Sequence, residues 1–244
     1  MEKRPLIGLL TNDLVGAYQY SFWAGMNAAA RAENCDLVSF NGGEMGATDP
    51  IQAMRRSAFD LVHSVKPDAM VLMAPVFANF SDQSEIDAFI ESMAPIPVVT
   101  VAIARPGNPA VLVDGANGID QLVDHLVGVH GRSRFAYVGG PILNPEAKER
   151  KEAFLRGIKR HGLEFNRQLD LVGDFDFGRA RDAVASLLEA GIPFDGLVAA
   201  NDNMALGAME ALKFRGRRIP DDVIVAGFDD VEDGLYSTPA LTTI

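Results

Sequence analysis

A single cysteine, Cys35, is all the thiol this chain carries. That excludes an internal disulfide framework and fits a reducing compartment. Basic residues are scarce as well: 22 Lys and Arg against 33 Asp and Glu leave a formal charge of −11 and a pI near 4.8. With no basic stripe, the chain is not expected to bind nucleic acid through its phosphates. No apolar run approaches the roughly 18–20 residues that span a bilayer, so no membrane partner is expected. The amino terminus, MEKRPLIGLL, lacks the apolar stretch and small-residue cleavage site of a secretory signal, and a cytoplasmic location is expected. Low-complexity tracts and short-period repeats are missing too.

Enzyme signatures are also wanting. No G-x-G-x-x-G follows the first apolar run, and neither a Walker lysine loop nor a G-x-S-x-G elbow occurs. The four histidines, His63, His125, His130 and His161, fall on or at the ends of predicted helices without metal-ligand spacing. Cys35 has no adjacent base and precedes a strand, which suits a small packing residue. The expectation is therefore a non-enzyme, with no catalytic residue, no cofactor and no metal.

What is present is alternation. Short apolar runs and amphipathic segments follow one another throughout, the βαβ signature of a parallel sheet covered by helices, hence an α/β chain. Hydrophobic residues make up 48% and charged residues 23%, enough to bury a core. Strands are expected near Leu6–Leu10, Leu37–Phe40, Ala69–Met73, Val98–Val101, Val111–Val113, Phe135–Val138, Leu169–Val172, Gly196–Ala199 and Val223–Ala226. Helices are expected near Ser21–Glu33, Ile51–Val65, Ser84–Ser92, Gly118–Val129, Pro145–His161, Gly178–Glu189 and Asn203–Arg215. The Pro/Gly-rich cluster ARPGNP, Ala104–Pro109, precedes a fresh βα run and marks a passage between two lobes, 1–114 and 115–244.

Candidate ligand contacts follow from where the apolar runs stop. Buried parallel strands deliver polar side chains to the rim of the sheet, and open α/β sheets bind ligands outside those carboxyl ends. LVAANDNMALG (Leu197–Gly207) and VIVAGFDD (Val223–Asp230) both stop at Asn or Asp. Leu6–Leu10 leads to Thr11, Asn12 and Asp13, Val111–Val113 to Asp114, and Phe135–Val138 to a Gly-Gly-Pro turn and Asn144. Such side chains suit the hydroxyls of a polyol or sugar. Tyr18, Tyr20, Phe22 and Trp23 offer aromatic faces, although core packing is the default for Phe22 and Trp23 on their helix.

Plainer roles stand beside these. Asn144-Pro145-Glu146 has the form of a helix start, so capping comes before ligand contact for Asn144, and the two are compatible. Asp202 reads as the cap of the helix from Asn203, which leaves Asn201 as the pocket residue. Asp13, Asp114 and Asp230 stay open between turn and ligand roles. Arg150 stands apart: it lies beside the Ala147, Phe154 and Ile158 stripe, where an unpaired guanidinium would be costly. Its partner is either a carboxylate such as Asp114 or Asp229, or ligand oxygens in a fork geometry; the ligand, or an ion pair that a ligand can replace, is preferred.

Together these blocks resemble the ligand-binding domain of the lactose/galactose-repressor (LacI/GalR) family. IGLLTN at Ile7–Asn12, GMNAAARAENCDLV at Gly25–Val38 and the Val113–Pro141 segment match in order. ANDNMALGAMEAL, RIPDDVIVAGFDD and TPALTTI are the most specific. The resemblance implies the type I periplasmic-binding-protein fold: two Rossmann-like lobes that close on a small polar ligand in the cleft. It carries over Asn12, Asp114, Arg150, Asn201 and Asp229 as pocket positions, to which the residue reading adds Tyr18 and Asn144. It also implies a homodimer and an output or DNA-binding domain in a longer chain. TPALTTI falls where that family's backbone recrosses to the first lobe, so this lobe is expected to lack its return segment. AYQYSFWAGMNAAA, FNGG and GGPILNPEAKERKEAF are similar to sensor domains fused to histidine kinases or diguanylate cyclases. The alternatives are the effector domain of a DNA-binding repressor and a periplasmic sugar-binding protein.

Overall fold

The structure is a computed structural model that describes residues 3–46, 50–79 and 81–244. Two compact units divide the chain, Met1–Val113 and Asp114–Ile244.

In the first unit, β1 (Leu6–Thr11), α1 (Ala17–Ala32) and β2 (Asp36–Asn41) are followed by three short helices, α2 (Pro50–Arg55), α3 (Ser57–Asp60) and α4 (Val62–Val65). Then come β3 (Ala69–Leu72), α5 (Ala74–Phe77), α6 (Gln83–Ser92), β4 (Val98–Val101) and β5 (Ala110–Val111). The strands form one parallel sheet in the order β2-β1-β3-β4-β5. Apolar side chains on its central strands explain it: Leu9, Leu10, Met70 and Leu72 are fully buried, each worth roughly 1.5–3 kcal/mol of transfer free energy. Phe59, Phe77 and Phe89 pack ring against ring beside them, with centroids 5.2–6.0 Å apart. Phe22 and Trp23 lie partly buried against the same core.

Two expectations need correction here. The single helix over Ile51–Val65 is broken into α2, α3 and α4. At the first break the Ser57 hydroxyl donates to the Met54 carbonyl, and Phe59 N–H bonds three residues back to Arg56 rather than four. The strand over Val111–Val113 shrinks to β5, because Leu112 and Val113 lie exposed beyond the bond from Ala102 N–H to the Val111 carbonyl. The buried turn α5 had no periodicity to announce it, since all four of its residues are interior.

The second unit runs α7 (Gly115–Gly128), β6 (Phe135–Gly139), α8 (Pro145–Arg160), β7 (Asp170–Val172), α9 (Phe177–Glu189), β8 (Gly196–Ala199), α10 (Asp202–Phe214), β9 (Ile224–Ala226) and α11 (Glu232–Tyr236). Its parallel sheet has the order β7-β6-β8-β9, and a parallel bridge from Ala226 to Thr242 lays the final residues beside β9. Strands β6 and β8 are buried at every position, as their unbroken apolar sequence requires. Helix α7 packs on α8, and α9 on α10. Among the described residues, no helix is long and apolar enough to cross a membrane.

Candidate functional site

The carboxyl ends of β6, β8 and β9 open directly onto helix starts, and the sequence explains each. After β6 the Gly140-Pro141 turn leads to Asn144, whose Oδ1 accepts from Ala147 N–H at 3.0 Å and caps α8, with Pro145 in the first turn. After β8, Asn201 Oδ1 accepts from Met204 N–H at 3.0 Å and caps α10. Asp114 caps α7 through Asn117 N–H at 3.2 Å. Capping thus occupies one oxygen of each of these three residues. Asn144 is fully buried, whereas Asp114 is exposed and Asn201 half-exposed, the Asn201 Nδ2 donors having no protein partner among the described residues.

Arg150 binds these ends together. One and a half turns into α8, its Nη1 donates to the Ala200 carbonyl at 2.7 Å, one residue before Asn201. The guanidinium lies over the Phe228 ring, 3.7 Å from its centroid. A methyl group built on Gly115 would sit 3.7 Å from that ring and 3.8 Å from Arg150 Nε, so α7 starts against the same guanidinium. Two carboxylates flank it, Glu146 at 3.5 Å from Nη2 and Asp229 at 3.6 Å from Nη1. Both distances exceed those of close charge-assisted hydrogen bonds, and Nε is buried with no partner among the described residues. The cation is therefore rigidly placed yet incompletely engaged. A group offering oxygens could take up its remaining donors.

Burial dominates the electrostatics. It pushes the Asp229 carboxyl up to about 7, against the pull of Arg150 and with help from the like charges of Asp202 and Glu146. Burial likewise raises Glu146, again opposed by Arg150. The backbone of Asp229 adopts φ 114°, which only the surrounding turn can impose on a residue with a side chain. Asp229 N–H bonds to the Ile244 carbonyl at 2.9 Å and fixes that turn.

Asp202 is not the cap of α10 but the fully buried residue after it. Its Oδ1 accepts from the Thr243 hydroxyl at 2.7 Å and its Oδ2 from Val231 N–H at 3.0 Å, while its own N–H reaches the Phe228 carbonyl at 2.8 Å. Burial raises its carboxyl, the two accepted bonds opposing. This side chain ties α10, the turn after β9 and the final residues into one piece.

Asn12 and Tyr18 belong to the first unit. Asn12 is buried at the end of β1, its Oδ1 accepting from Asp13 N–H at 2.9 Å and from Gln19 Nε2 at 3.4 Å. Its carbonyl receives Gly43 N–H at 2.9 Å and Arg55 Nη2 at 3.1 Å. Tyr18 is half-buried in the first turn of α1 and packs against the core of this unit. Asp13 caps its own turn by accepting from Val15 N–H at 3.0 Å.

Asp114, Asn144, Arg150, Asn201 and Asp229 thus share one end of the second sheet, and Asn12 occupies the equivalent end of the first. Sequence reasoning did not single out Glu146, Phe228 or Arg55. Glu146 carried a readable signal, a Glu four residues ahead of an Arg on one helix face. Phe228 carried none, since a buried aromatic after a strand looks like core. Three of the four histidines make surface contacts: His161 Nε2 meets Asp124 at 2.7 Å, and the Nε2 atoms of His125 and His130 are 3.0 Å apart. No group of three or more His, Cys, Asp or Glu among the described residues is placed to hold a metal ion.

Comparison with known proteins agrees with this geometry. The model of the periplasmic binding protein-like domain matches residues 123–244, half of the chain. The HTH-type transcriptional regulator AscG of Escherichia coli is 30% identical over 190 residues, which are 78% of this chain and 55% of that protein. The probable HTH-type transcriptional repressor ExuR of Bacillus subtilis is 27% identical over 253 residues, covering 100% of this chain and 70% of that one. The chain thus spans a little over half to about two-thirds of these relatives. A LacI-family transcriptional regulator from Burkhoderia phymatum superposes with a TM-score of 0.83 at 27% identity, over 98% of this chain and 84% of that one. The lac repressor dimer, at 22% identity and a TM-score of 0.82 over 99% of this chain and 80% of that one, shows the shared fold. These relatives are transcriptional regulators rather than enzymes. The chain belongs to the periplasmic binding protein-like domain family, as a ligand-binding domain of the LacI/GalR type.

Proposed function

We propose that the chain is the effector-binding part of a bacterial regulator, holding a small polyhydroxylated ligand between its two lobes, 1–114 and 115–244, and signalling by their closure. The observation that carries this reading is the Arg150 cluster. A buried guanidinium fixed by Ala200 and Phe228 keeps donors in reserve, and loose ion pairs to Glu146 and Asp229 can yield to ligand oxygens. Asn201 and Asp114 add donors and acceptors at the same rim, Asn144 supports it, and Asn12 and Tyr18 serve the opposing lobe.

Isothermal titration against sugars, sugar derivatives and nucleosides tests it. Binding of at least one compound that is lost in Asp229→Ala supports the proposal. A folded chain indifferent to the whole panel overturns it.

The output is proposed by relation. AscG and ExuR are named as HTH-type, which favours a DNA-binding repressor over a histidine kinase or diguanylate cyclase as the longer chain, and over a periplasmic carrier. A cytoplasmic site of action goes with that. Acidic as it is, this part makes no contact with the operator. Pairing into a homodimer is proposed too: a groove of about 730 Å³ on the second unit is lined by Phe177, Leu206, Met209 and Phe214 together with the polar Asn203, Glu210, Lys213, Asp233 and Ser237, and Tyr236, between the last two in the chain, is exposed. Two similar solved chains are named as dimeric lac repressor.

A further inference from the structure

Helix α7 ends in a cap that folds two histidines onto each other. His125 lies in the last turn, and its carbonyl accepts from Val129 N–H at 3.0 Å and from His130 N–H at 3.4 Å. Gly131, with φ 64°, then turns the chain back. Its N–H bonds to the Val127 carbonyl at 3.0 Å, and Arg132 N–H to the Leu126 carbonyl at 3.1 Å. This wrap sets the two rings at an interplanar angle of 82°, with centroids 4.6 Å and Nε2 atoms 3.0 Å apart. Both residues are exposed. They are five apart in sequence, one more than the spacing that stacks side chains on a helix face. The pair is therefore a product of the cap and not of helical periodicity.

Nothing in the proposed function uses this pair. At 3.0 Å one ring donates its Nε2–H to the bare Nε2 of the other, so one nitrogen already presents a lone pair. The other gains one by moving its proton to Nδ1. Two imidazole nitrogens on one metal, each at roughly 2.0–2.1 Å, stand about 2.9 Å apart at a right angle and about 3.3 Å apart at the tetrahedral angle. The observed spacing falls between these, and rotation of two exposed rings aims both lone pairs at one point. Charge favours a cation here, because the last carbonyls of α7 carry the negative end of its dipole. The neighbouring guanidinium groups are turned away: Arg132 Nη2 donates to the Pro220 carbonyl at 2.7 Å, and Arg160 is held by Asp120 and Asp124. The contact of His161 with Asp124 offers no such place, since that carboxylate already accepts from Arg160 at 2.6 Å.

We infer that His125 and His130 chelate a divalent transition metal of the nitrogen-seeking kind, Ni²⁺, Cu²⁺ or Zn²⁺, through their Nε2 atoms, with water in the remaining positions. The metal takes the place of the shared proton, which passes to Nδ1 of the donor ring, so the neutral pair releases no net proton. The site lies at the opposite end of α7 from Gly115, which faces Arg150, and is independent of the small polar ligand. The sequence expectation of no metal rests on spacing along the chain, which does not register a pair closed by a helix cap.

Magnetic resonance and calorimetry of the 244-residue chain near neutral pH test the inference. Substoichiometric Cu²⁺ is expected to broaden the ring signals of His125 and His130 before those of His63 and His161. Ni²⁺ should bind with a single equivalent per chain, whereas Mg²⁺, which prefers oxygen, should give no heat. His125→Gln and His130→Gln should each weaken Ni²⁺ binding by about tenfold or more, a loss that even a supporting contact at a metal site can cause. Both variants should keep the thermal melt of the metal-free protein, and His161→Gln should bind Ni²⁺ unchanged. Ni²⁺ affinity that survives either of the first two substitutions overturns the inference. So does broadening spread evenly over the four histidines, or Ni²⁺ binding no tighter than in the doubly substituted chain. The proposed function stands or falls separately, on the sugar and nucleoside panel.

Discussion

Arg150 shows how a single residue can be both structural and functional. It is 5% exposed, and its cation is what permits two carboxylates to lie buried beside it. Removing one partner of such a cluster strands the others, so Arg150→Ala should destabilise the fold by about 3 kcal/mol as well as abolish binding. Urea unfolding checks the first effect; an unchanged midpoint would show the cluster to be solvated. Asp229 makes the cleaner variant. Its carboxyl, ordinarily near 3.8, titrates at about 7 in the folded chain, so the native state favours the protonated form. The stability it contributes is fully present below about pH 4 and is lost as pH rises through about 7. Glu146 and Asp202 are raised too and act in the same direction. Asp222, lowered to about 2, acts oppositely but only between about pH 4 and 2. Melting temperature should therefore fall between pH 4.5 and 7.5, and Asp229→Asn, which mimics the neutral form, should flatten that fall. Parallel curves for the two proteins would refute the assignment.

At the scale of elements, the turn after β9 is the most constrained part of the second unit. A methyl group on Gly227 would run into Asp202 Oδ1 and approach Ala205 Cβ at 3.2 Å, so only glycine lets β9 pass α10 this closely. Gly227→Ala should cost about 2 kcal/mol through overpacking. Asp202→Ala should cost about 2 kcal/mol by orphaning the Thr243 hydroxyl and Val231 N–H. Because the two changes meet at one contact, the double variant should lose less than the sum, and chemical denaturation of the set measures the coupling. The sequence resolved these elements unevenly. Helices α7 to α10 were legible because each carries an apolar stripe and a capping residue. The α10 cap was placed one residue late, at Asp202, because Asn and Asp are equally good caps and only burial separates them. The break in α2 to α4 was illegible because it arises from Ser57 bonding to backbone, not from a Gly or Pro.

Across the whole molecule, the proposal requires two bodies that close. Small-angle scattering should show a smaller radius of gyration with saturating ligand than without, and no change in Asp229→Ala. A radius unmoved by a bound ligand would refute closure and leave binding standing. The pairing proposal makes its own demand. Tyr236→Asp should shift a homodimer toward monomer in sedimentation, because a charge at a side chain 74% exposed alone but covered on pairing disfavours only the paired form. An undisturbed dimer would move the interface elsewhere.

What the amino-acid order determined alone was the class of fold and the kind of residue at each strand end. Buried parallel strands need unbroken apolar runs, helices need 3.6-residue stripes, and both patterns are local. The Glu146–Arg150 pair is local as well, one helical turn apart. Only the tertiary structure decided that the partners of Arg150 are Asp229, Ala200 and Phe228 rather than Asp114. That choice depends on β6, β8 and β9 lying side by side, a register set by hydrogen bonds between strands far apart in the chain. It likewise decided that Arg55, unremarkable on a short helix, donates to the Asn12 carbonyl at the end of β1. Charge balance in a site is a sum over neighbours in space, and neighbours in space are what a linear order of residues does not specify.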